Sequence, residues 1–250
     1  MLVLKYIMRG YLSLRYFFHK ITRTGSFGKD RAETIPSPLT PPQNALKKAL
    51  FRHHVKQFHE SSCSVASVVC VVNAILETTK TLNFRPITQQ QILEKVRTAH
   101  WKERMGANGY KGRRGLPLEV LSQVVAESLK AYGIRYKSTE FVRARGKKAS
   151  QPIRQRLLSR LEQFETQGNC LIIAHFDQGC FIPDLNIPHI SPVGGFDPVT
   201  QRVTLLDVDP SLPLPYDVSF DTFYKGISTN YNHVFKPFGY GRGGYVYIQL

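Results

Sequence analysis

The spacing of apolar residues predicts one long buried helix in the first third of the chain. From position 63 onward, apolar side chains recur every three or four residues, which is the period of an α-helix. These positions are Val65, Val68, Val69, Val72, Ile75 and Leu76. Ser61 and Ser62 stand just before them, and serine is a favoured N-cap residue. The pattern therefore predicts a buried helix that begins almost at Cys63.

The second half of the chain has the pattern of a sheet. Four runs are rich in β-branched and aromatic residues and read as strands: residues 171–176, 189–196, 202–208 and 244–249. Gly194-Gly195 and Asp197-Pro198 supply turn chemistry between them. Neighbouring strands should bring the ends that carry His189 and Asp207 together.

The first 24 residues have a different pattern. They contain no acidic residue, and in a helical projection basic side chains cluster opposite an apolar side. The basic residues on one side are Lys5, Arg9, Lys20 and Arg23, and the apolar residues on the other are Val3, Leu4, Ile7, Leu14, Phe17, Phe18 and Ile21. Charges interrupt the apolar run too often for a transmembrane span or a signal-peptide core. Two interpretations stay open: an amphipathic helix on an anionic membrane surface, or a disordered or loosely docked extension.

Composition supports one folded domain behind this leader. Residues 35–42 are rich in Pro, Ser and Thr, which is typical of a linker. We therefore divide the chain into a leader with its linker, residues 1–42, and a folded domain, residues 43–250. A chain of 250 residues with 42% hydrophobic content can bury a sizeable core. The net charge is +16, and residues 1–56 carry +9 of it.

A second basic region follows in the middle of the chain. Residues 135–160 are rich in Lys and Arg, and Lys111, Arg113 and Arg114 precede them. Such a patch could bind the phosphates of nucleic acid or lipid, so a binding protein is an alternative to an enzyme. No nucleic-acid motif accompanies it, and few aromatic residues stand among the charges. We therefore favour a solvated face without a nucleic-acid partner.

Three residue types that form a cysteine-nucleophile site occur in order along the chain: Cys63, His189 and Asp207. In such a site a thiol attacks, an imidazole moves its proton, and a carboxylate orients the imidazole. A cysteine at a helix N-terminus should favour the thiolate, because partial positive charge and N–H groups gather there. Taken singly, each residue also suits an ordinary structural role. Gln57, six residues before Cys63, completes a set that favours an enzyme.

The same residues stand in segments that resemble the phytochelatin synthase family. Residues 57–67, with Asn73-Ala74 on the same helix, are similar to its block of Gln, a Cys six residues later, small residues and Asn-Ala. Residues 189–196 resemble its His-x-Ser-Pro block, and residues 205–208 resemble its Leu-Asp-Val block. Residues 115–119 and 242–245 resemble two weaker landmarks. The resemblance is to the short bacterial-type members, because residues 1–250 include no Cys-rich carboxy-terminal domain.

This resemblance implies an α+β fold of the papain-like cysteine peptidase type, in which a helix carrying the Cys packs on an antiparallel sheet carrying the His and Asp. It implies an enzyme that releases glycine from glutathione and holds the γ-glutamylcysteinyl group as a thioester. That group then passes to a second glutathione or to water. Cys63 would be the nucleophile, His189 the base and then the acid, and Asp207 the residue that orients His189. Gln57 would donate to the oxyanion, and Arg242 would bind substrate.

Two departures from the family pattern bear on the acyl acceptor. After the Asp-Val pair, where the family has cations, this chain has Pro210 and Leu212. A basic residue expected about ten positions before the histidine is also missing, near Gln178. Without cations to hold an anionic acceptor, we expect hydrolysis to exceed peptide extension. Another γ-glutamyl peptide or a short ordinary peptide stays open as the substrate, because a fold does not determine it.

The cysteines do not have a metal-binding spacing. Cys70 lies two helical turns from Cys63, about 10 Å away, and neither Cys170 nor Cys180 stands in a zinc motif. We therefore expect buried free thiols, no metal site and no tightly bound cofactor. Cadmium or zinc would arrive as a thiolate complex of glutathione. We expect a cytoplasmic protein, peripheral to a membrane if the leader binds one.

Overall fold

The structure, a computed structural model, describes residues 44–79, 85–145, 151–182, 187–229 and 242–250, with single positions at 7, 10, 11, 13, 14, 17, 18, 33, 34 and 185. The α-helices are α1 (Ala45–Arg52), α2 (Cys63–Thr79), α3 (Gln89–Lys95), α4 (Trp101–Met105), α5 (Leu118–Ala131), α6 (Gln151–Gln167) and α7 (Phe220–Ile227). The strands are β1 (Glu33–Thr34), β2 (Ser138–Arg143), β3 (Cys170–Asp177), β4 (Pro188–Asp197), β5 (Arg202–Leu205), β6 (Tyr216–Ser219) and β7 (Gly244–Gln249).

The buried helix predicted from the apolar spacing is α2. It begins at Cys63, as predicted, and every residue from Cys63 to Leu76 is buried. A helix that is apolar on all sides belongs inside a core rather than on a surface. It packs against α1, α3, α5 and strand β4. The first turn of α2 is thereby held against the sheet.

The strands form one antiparallel sheet in the order β1-β6-β5-β4-β3-β7-β2. All eight residues of β3 are buried, and so are all but the two end residues of β4. Phe176 on β3 lies opposite His189 on β4, and His175 lies opposite Ile190. With helices packed against this sheet, the predicted α+β class is confirmed.

Two details of the strand prediction differ from the structure. Gly194 and Gly195 lie inside β4, at a bulge opposite β5, rather than in a turn. A Cβ on Gly194 would lie 2.7 Å from the side chain of Leu206, so the glycine permits this close approach. Strand β5 ends at Leu205, so Asp207 lies beyond the strand. The reason is that the next segment turns toward Gln57, whose N–H donates to the carbonyl of Val208 at 2.8 Å.

A carboxylate ties β4 to two helices at the sheet's centre. Glu165 of α6 accepts hydrogen bonds from the Lys47 ammonium of α1 at 2.7 Å and from the N–H of Phe196 at 2.6 Å. Both partners in the ion pair are only about one-fifth exposed, at 20% and 19%. The strand that carries His189 is therefore fixed from outside the sheet as well as by its neighbours.

Much of the leader lies outside the described residues, as does the whole of the predicted linker, residues 35–42. The seven described leader positions are helical and exposed. Among them, Ile7, Leu14, Phe17 and Phe18 are each more than half exposed. In the part of the chain that the structure describes, no helix is both long and apolar enough to cross a membrane. The boundary at residue 42 and the membrane contact of residues 1–24 stay predictions.

Candidate active site

Cys63 is the first residue of α2 and is buried, with 7% of its surface exposed. Its sulfur lies near three backbone N–H groups, those of Ile190, Ser64 and Cys63 itself. Ile190 follows His189 on β4, so the cysteine faces the strand that carries the histidine. The indole N–H of Trp101 donates to the hydroxyl of Ser64 at 3.0 Å, which braces the helix start from the other side.

The serines before Cys63 do not cap the helix through their side chains. The Ser62 hydroxyl accepts from the N–H of His59 at 2.9 Å and donates to the His59 carbonyl at 2.8 Å. The Ser61 hydroxyl accepts from Nε of Arg114 at 2.8 Å. Only the Ser62 carbonyl serves the helix, by accepting from the N–H of Ala66. Neither the Ser61 nor the Ser62 hydroxyl therefore accepts a hydrogen bond from an N–H group of the first turn of α2.

The expectation that the helix N-terminus makes Cys63 a resting thiolate is wrong. Burial raises the pKa of this thiol to about 12, and the nearby charge of Asp207 adds to the rise. The N–H groups of Ile190 and Ser64 act in the opposite direction but are outweighed. Desolvation of a fully enclosed group can shift a pKa by several units, which exceeds what one helix end supplies. The Cys63 thiol is therefore neutral in the neutral range, and it would need a base in order to act as a nucleophile.

His189 and Asp207 form a buried pair. Nε2 of His189 lies 2.8 Å from Oδ1 of Asp207, and the two side chains are 2% and 0% exposed. The N–H is not aimed along this line as in a good hydrogen bond. Geometry of this kind often tightens only when substrate is bound. The ring also packs edge-on against Phe176, with centroids 5.7 Å apart.

Asp207 is surrounded by donors. Oδ2 accepts from the Tyr216 hydroxyl at 2.6 Å and from the Gln178 amide at 3.2 Å. Oδ1 faces His189 and also accepts from the N–H of Asp209 at 3.0 Å and the Ser191 hydroxyl at 3.4 Å. Burial alone would raise the pKa of Asp207, but His189, Tyr216 and the Asp209 N–H outweigh it and hold the pKa at about 2. Asp207 is therefore an anion throughout the neutral range.

Gln57 lies beside the acid because its chain segment is attached to the loop after Asp207. Its N–H donates to the Val208 carbonyl at 2.8 Å, and Oε1 of its side chain is buried without a partner in the described part of the chain. Lys56 donates its ammonium to the carbonyls of Asp207 and Leu212, both at 2.6 Å. Burial lowers the pKa of Lys56, while Asp207 and Asp209 act to raise it. The Lys56 ammonium thus attaches the segment that carries Gln57, the residue proposed to donate to the oxyanion, to the loop after Asp207.

Ser67 joins the cysteine to the histidine strand. Its hydroxyl lies 2.8 Å from the carbonyl of Cys63 and 2.9 Å from the carbonyl of Ile190, so its proton can be donated to either. Ser67 is completely buried. The contact fixes how far the first turn of α2 lies from β4, and hence how far the thiol lies from His189.

Gln178, near the position where a basic residue was expected, contacts two carboxylates. The side-chain amide of Gln178 donates to Oδ2 of Asp207 at 3.2 Å and to Oδ2 of Asp209 at 3.3 Å. Asp209 in turn accepts from the backbone and the hydroxyl of Ser211. An uncharged amide therefore stands between two carboxylates. No pattern in the sequence distinguishes Gln178 or Asp209 from surface residues, because their contacts join different strands.

Arg242 lies apart from this cluster. It is exposed and stands two residues before Gly244, which pairs with His175 on β3. This places it at the end of the sheet that carries His189. Within the described residues, no hydrogen bond joins it to Cys63, His189 or Asp207. Its predicted role in substrate binding stays a prediction.

A turn of basic residues lies against the cysteine segment instead. Residues 109–114, here called the basic turn, double back at Gly109 and Gly112, where φ is +60° and +74°. Arg114 reaches from it to the hydroxyl of Ser61 at 2.8 Å and to the carboxylate of Glu60 at 3.1 Å. Ser61 is two residues from Cys63. The sequence showed these cations but could not show that they lie beside the nucleophile.

The second basic region is paired with acids. Arg154 bonds to Asp221, and Arg156 and Arg160 share Glu140. Arg143 bonds to Glu119. Pairing of this kind supports the solvated face that we favoured over a phosphate-binding patch.

His175 is a buried imidazole outside the expected set. It is 1% exposed, and neither ring nitrogen has a hydrogen-bond partner among the described residues. Burial, with a smaller contribution from the neighbouring His189, lowers its pKa to about 4. It is therefore neutral in the neutral range. A buried, unpartnered polar ring costs stability unless a water or substrate satisfies it.

In chemical terms, the site combines a buried thiol, a base oriented by an anion, and N–H groups at a helix start. This set suits acyl transfer through a covalent intermediate. Among the described residues, no group of three His, Cys, Asp or Glu side chains could hold a metal ion. All four cysteines are free and buried.

A family model described as phytochelatin synthase matches residues 43–240. The matched range includes Gln57, Cys63, His189 and Asp207, and it ends two residues before Arg242. No curated protein matches the sequence.

Replacing Ser67 with Ala should loosen the contact between the helix start and β4. We expect a loss of about 1 kcal/mol in the free energy of unfolding and a slower reaction of Cys63 with iodoacetamide. Ser128→Ala is the matched control, because Ser128 is buried but bonds only to Val124 within its own helix. Equal alkylation rates in the two variants would show that Ser67 does not position the thiol. Urea unfolding and the alkylation rate are the measurements.

The stability of the protein should depend on the pH at which His175 is protonated. The folded state keeps this ring neutral down to about pH 4, whereas the unfolded chain takes up the proton below about pH 6.5. Stability is therefore lost as pH falls from about 6.5 to about 4. His175→Leu should flatten this fall and stabilise the protein at pH 5 by up to about 2 kcal/mol. His54, whose pKa burial also lowers to about 4, keeps part of the slope.

The measurement for His175 is the midpoint of urea unfolding at pH 5 and at pH 7.5 for both proteins. A variant whose stability falls with acid as steeply as that of the wild type would show that His175 does not cause the loss.

Proposed function

The chain belongs to the phytochelatin synthase family, and from that premise we propose that it is a glutathione γ-glutamylcysteinyl hydrolase/transferase in which hydrolysis exceeds peptide extension. Cys63 is the nucleophile, His189 the base and then the acid, and Asp207 orients His189. The observation that carries the proposal is the buried His189–Asp207 pair at 2.8 Å, on the strand whose next N–H lies at the Cys63 sulfur.

The first half-reaction breaks the peptide bond to glycine. His189 removes the proton of Cys63 as the sulfur attacks the carbonyl carbon between cysteine and glycine of glutathione. The negative charge that develops on the carbonyl oxygen is stabilised by N–H groups at the start of α2 and by the amide of Gln57. The intermediate collapses when His189 gives its proton to the glycine nitrogen. Glycine leaves, and the γ-glutamylcysteinyl group stays on Cys63 as a thioester.

The second half-reaction uses the same residues in reverse. His189 removes a proton from water, and the oxygen attacks the thioester carbonyl. The tetrahedral intermediate releases the sulfur, which regains its proton from His189. The products are γ-glutamylcysteine and free enzyme. The anionic Asp207 stabilises the imidazolium that forms in each half, which matters because the nucleophile begins as a neutral thiol.

The contacts of two polar residues support water as the main acceptor. A second glutathione carries carboxylates that need cationic partners near the thioester. The Lys56 ammonium already donates hydrogen bonds to the carbonyls of Asp207 and Leu212. Gln178 carries no charge, and its side-chain amide already donates hydrogen bonds to Asp207 and Asp209. Asp209 adds a negative charge to this side of the site, which disfavours an anionic acceptor.

The basic turn supports the opposite outcome. Arg114 donates a hydrogen bond to the hydroxyl of Ser61, which is two residues from Cys63. Lys111 and Arg113 of the same turn are exposed. Cations at this place could hold the carboxylates of a second glutathione from a different side. The balance between water and glutathione therefore depends on which of these two regions the acceptor meets.

Removal of the Cys63 sulfur should abolish glycine release and the covalent adduct. After exposure to glutathione, intact-mass spectrometry should show one γ-glutamylcysteinyl adduct on the wild type and none on Cys63→Ala. Cys70→Ala is the matched control, because Cys70 lies buried on the same helix and its thiol donates a hydrogen bond to the Leu50 carbonyl. It should keep the adduct. His189→Ala should lose nearly all activity, and the double variant with Cys63→Ala should be hardly worse.

An adduct that persists in Cys63→Ala would place the nucleophile elsewhere. Glycine release from another γ-glutamyl peptide, with none from glutathione, would keep the mechanism and change the substrate. Circular dichroism before each assay shows whether a variant is folded.

Product analysis should decide between the two acceptors. We expect γ-glutamylcysteine and glycine in near-equal amounts, with few longer peptides even when cadmium or zinc is added as a glutathione thiolate complex. Arg114→Met should then leave the product ratio unchanged. Arg156→Met, on the outer face of α6, is the control for loss of an arginine. Abundant longer peptides in the wild type that disappear in Arg114→Met would show instead that the basic turn binds the acceptor.

A further inference from the structure

The shortest contact to the carboxylate of Asp207 comes from a residue outside the expected catalytic set. The hydroxyl of Tyr216 donates to Oδ2 at 2.6 Å. Tyr216 is the first residue of β6 and is 2% exposed. Its ring packs near Phe181, at 6.3 Å between centroids, and Phe181 packs on Phe176. The phenol is therefore fixed in place on the side of Asp207 away from His189.

In the folded protein Tyr216 stays protonated and Asp207 stays ionised. Burial and the charge of Asp207 raise the pKa of Tyr216 well above its ordinary value. The phenol therefore stays a donor wherever the protein is folded. Asp207, with its pKa near 2, stays the acceptor. The contact is thus a permanent charge-assisted hydrogen bond, which is the stronger kind.

The two oxygens of Asp207 face different partners. Oδ1 lies at His189, and Oδ2 lies at Tyr216 and, at a longer distance, at Gln178. A donor on Oδ2 draws negative charge away from Oδ1. It also prevents the carboxylate from rotating, so Oδ1 keeps its place at the histidine. Loss of this donor would make the carboxylate a stronger partner for a protonated imidazole.

We propose that Tyr216 is a positioning residue of the reaction, which holds Oδ2 of Asp207 and thereby limits how strongly the acid keeps a proton on His189. The inference rests on the proposed roles of Cys63, His189 and Asp207. It does not rest on the identity of the substrate, since Tyr216 acts through Asp207 rather than on the reacting atoms. Its consequence is that His189 remains available as a base for the neutral thiol of Cys63.

Other groups around the pair act in known directions. Cys63 and His175 lie on the histidine side, and a charge on His175 would oppose one on His189. On the acid side, Asp209 adds negative charge, while Lys56 and His54 both donate to the Asp207 carbonyl. Gln178 and Ser191 are uncharged donors. Of these groups, Tyr216 makes the shortest contact to the carboxylate itself.

Tyr216→Phe removes the hydroxyl and keeps the ring. The rate of Cys63 alkylation by iodoacetamide, followed by peptide mapping from pH 5 to pH 9, reports when the base is free to take the thiol proton. We expect the midpoint of this profile to rise by about 0.5 to 1 pH unit. The pH profile of glycine release should rise with it. Tyr245→Phe is the matched control, because this buried hydroxyl accepts from Arg160 instead, and its midpoint should not move.

A midpoint that stays with the wild type in Tyr216→Phe, or that falls, would overturn the inference. If Tyr216→Phe does not fold, Gln178→Leu carries the test, since it removes the weaker donor at 3.2 Å from the same oxygen. It should shift the midpoint in the same direction by less, and an unchanged midpoint would again overturn the inference. Alkylation needs no glutathione, so a shifted midpoint without glycine release would keep the role of Tyr216 and refute the proposed substrate.

Discussion

The structure depends on keeping one carboxylate charged in a place where water cannot reach it. Asp207 is completely buried, and an unpaired ion in such a place costs several kcal/mol even after the protein relaxes. A hydrogen bond to a charged group returns about 1.5–3 kcal/mol, so one partner does not suffice. Four hydrogen-bond donors and the imidazole of His189 surround the two oxygens, and they come from β4, β6, the turn after β3 and the chain just beyond Asp207 itself. The acid thus requires several strands to be in register at once.

The same requirement connects the acid to the nucleophile. Lys56 and Gln57 attach the segment before α2 to the loop after Asp207, and Ser67 attaches the first turn of α2 to β4. None of these contacts is between the side chains proposed for catalysis. Together they leave little freedom for Cys63 to move relative to His189. Effective catalysis needs such fixed geometry, because small displacements of reacting groups are costly in rate.

The sequence predicted the parts of this site that depend on local pattern. The apolar period predicted the start of α2, and the runs rich in β-branched and aromatic residues predicted β3, β4 and β7. The family and the fold class are confirmed. Tyr216 and Gln178 could not be found in this way, because each meets Asp207 only after β3, β5 and β6 have paired. The strand β2 also escaped prediction, since its mostly half-buried residues give no clear alternation.

The state of Cys63 shows where local reasoning fails for a physical cause. A helix N-terminus favours an anion by at most about 2 kcal/mol, whereas one unit of pKa already corresponds to about 1.4 kcal/mol. Desolvation of a sulfur enclosed on all sides can raise the pKa by several units, so burial decides the outcome. Only the folded structure reveals that enclosure, because it brings Ile190 of β4 to the sulfur and Trp101 to the neighbouring Ser64. A neutral thiol lacks the reactivity of a resting thiolate, so in the proposed mechanism activation depends on the base. The charge on Asp207, and the donors around it, would therefore determine when Cys63 can act as a nucleophile.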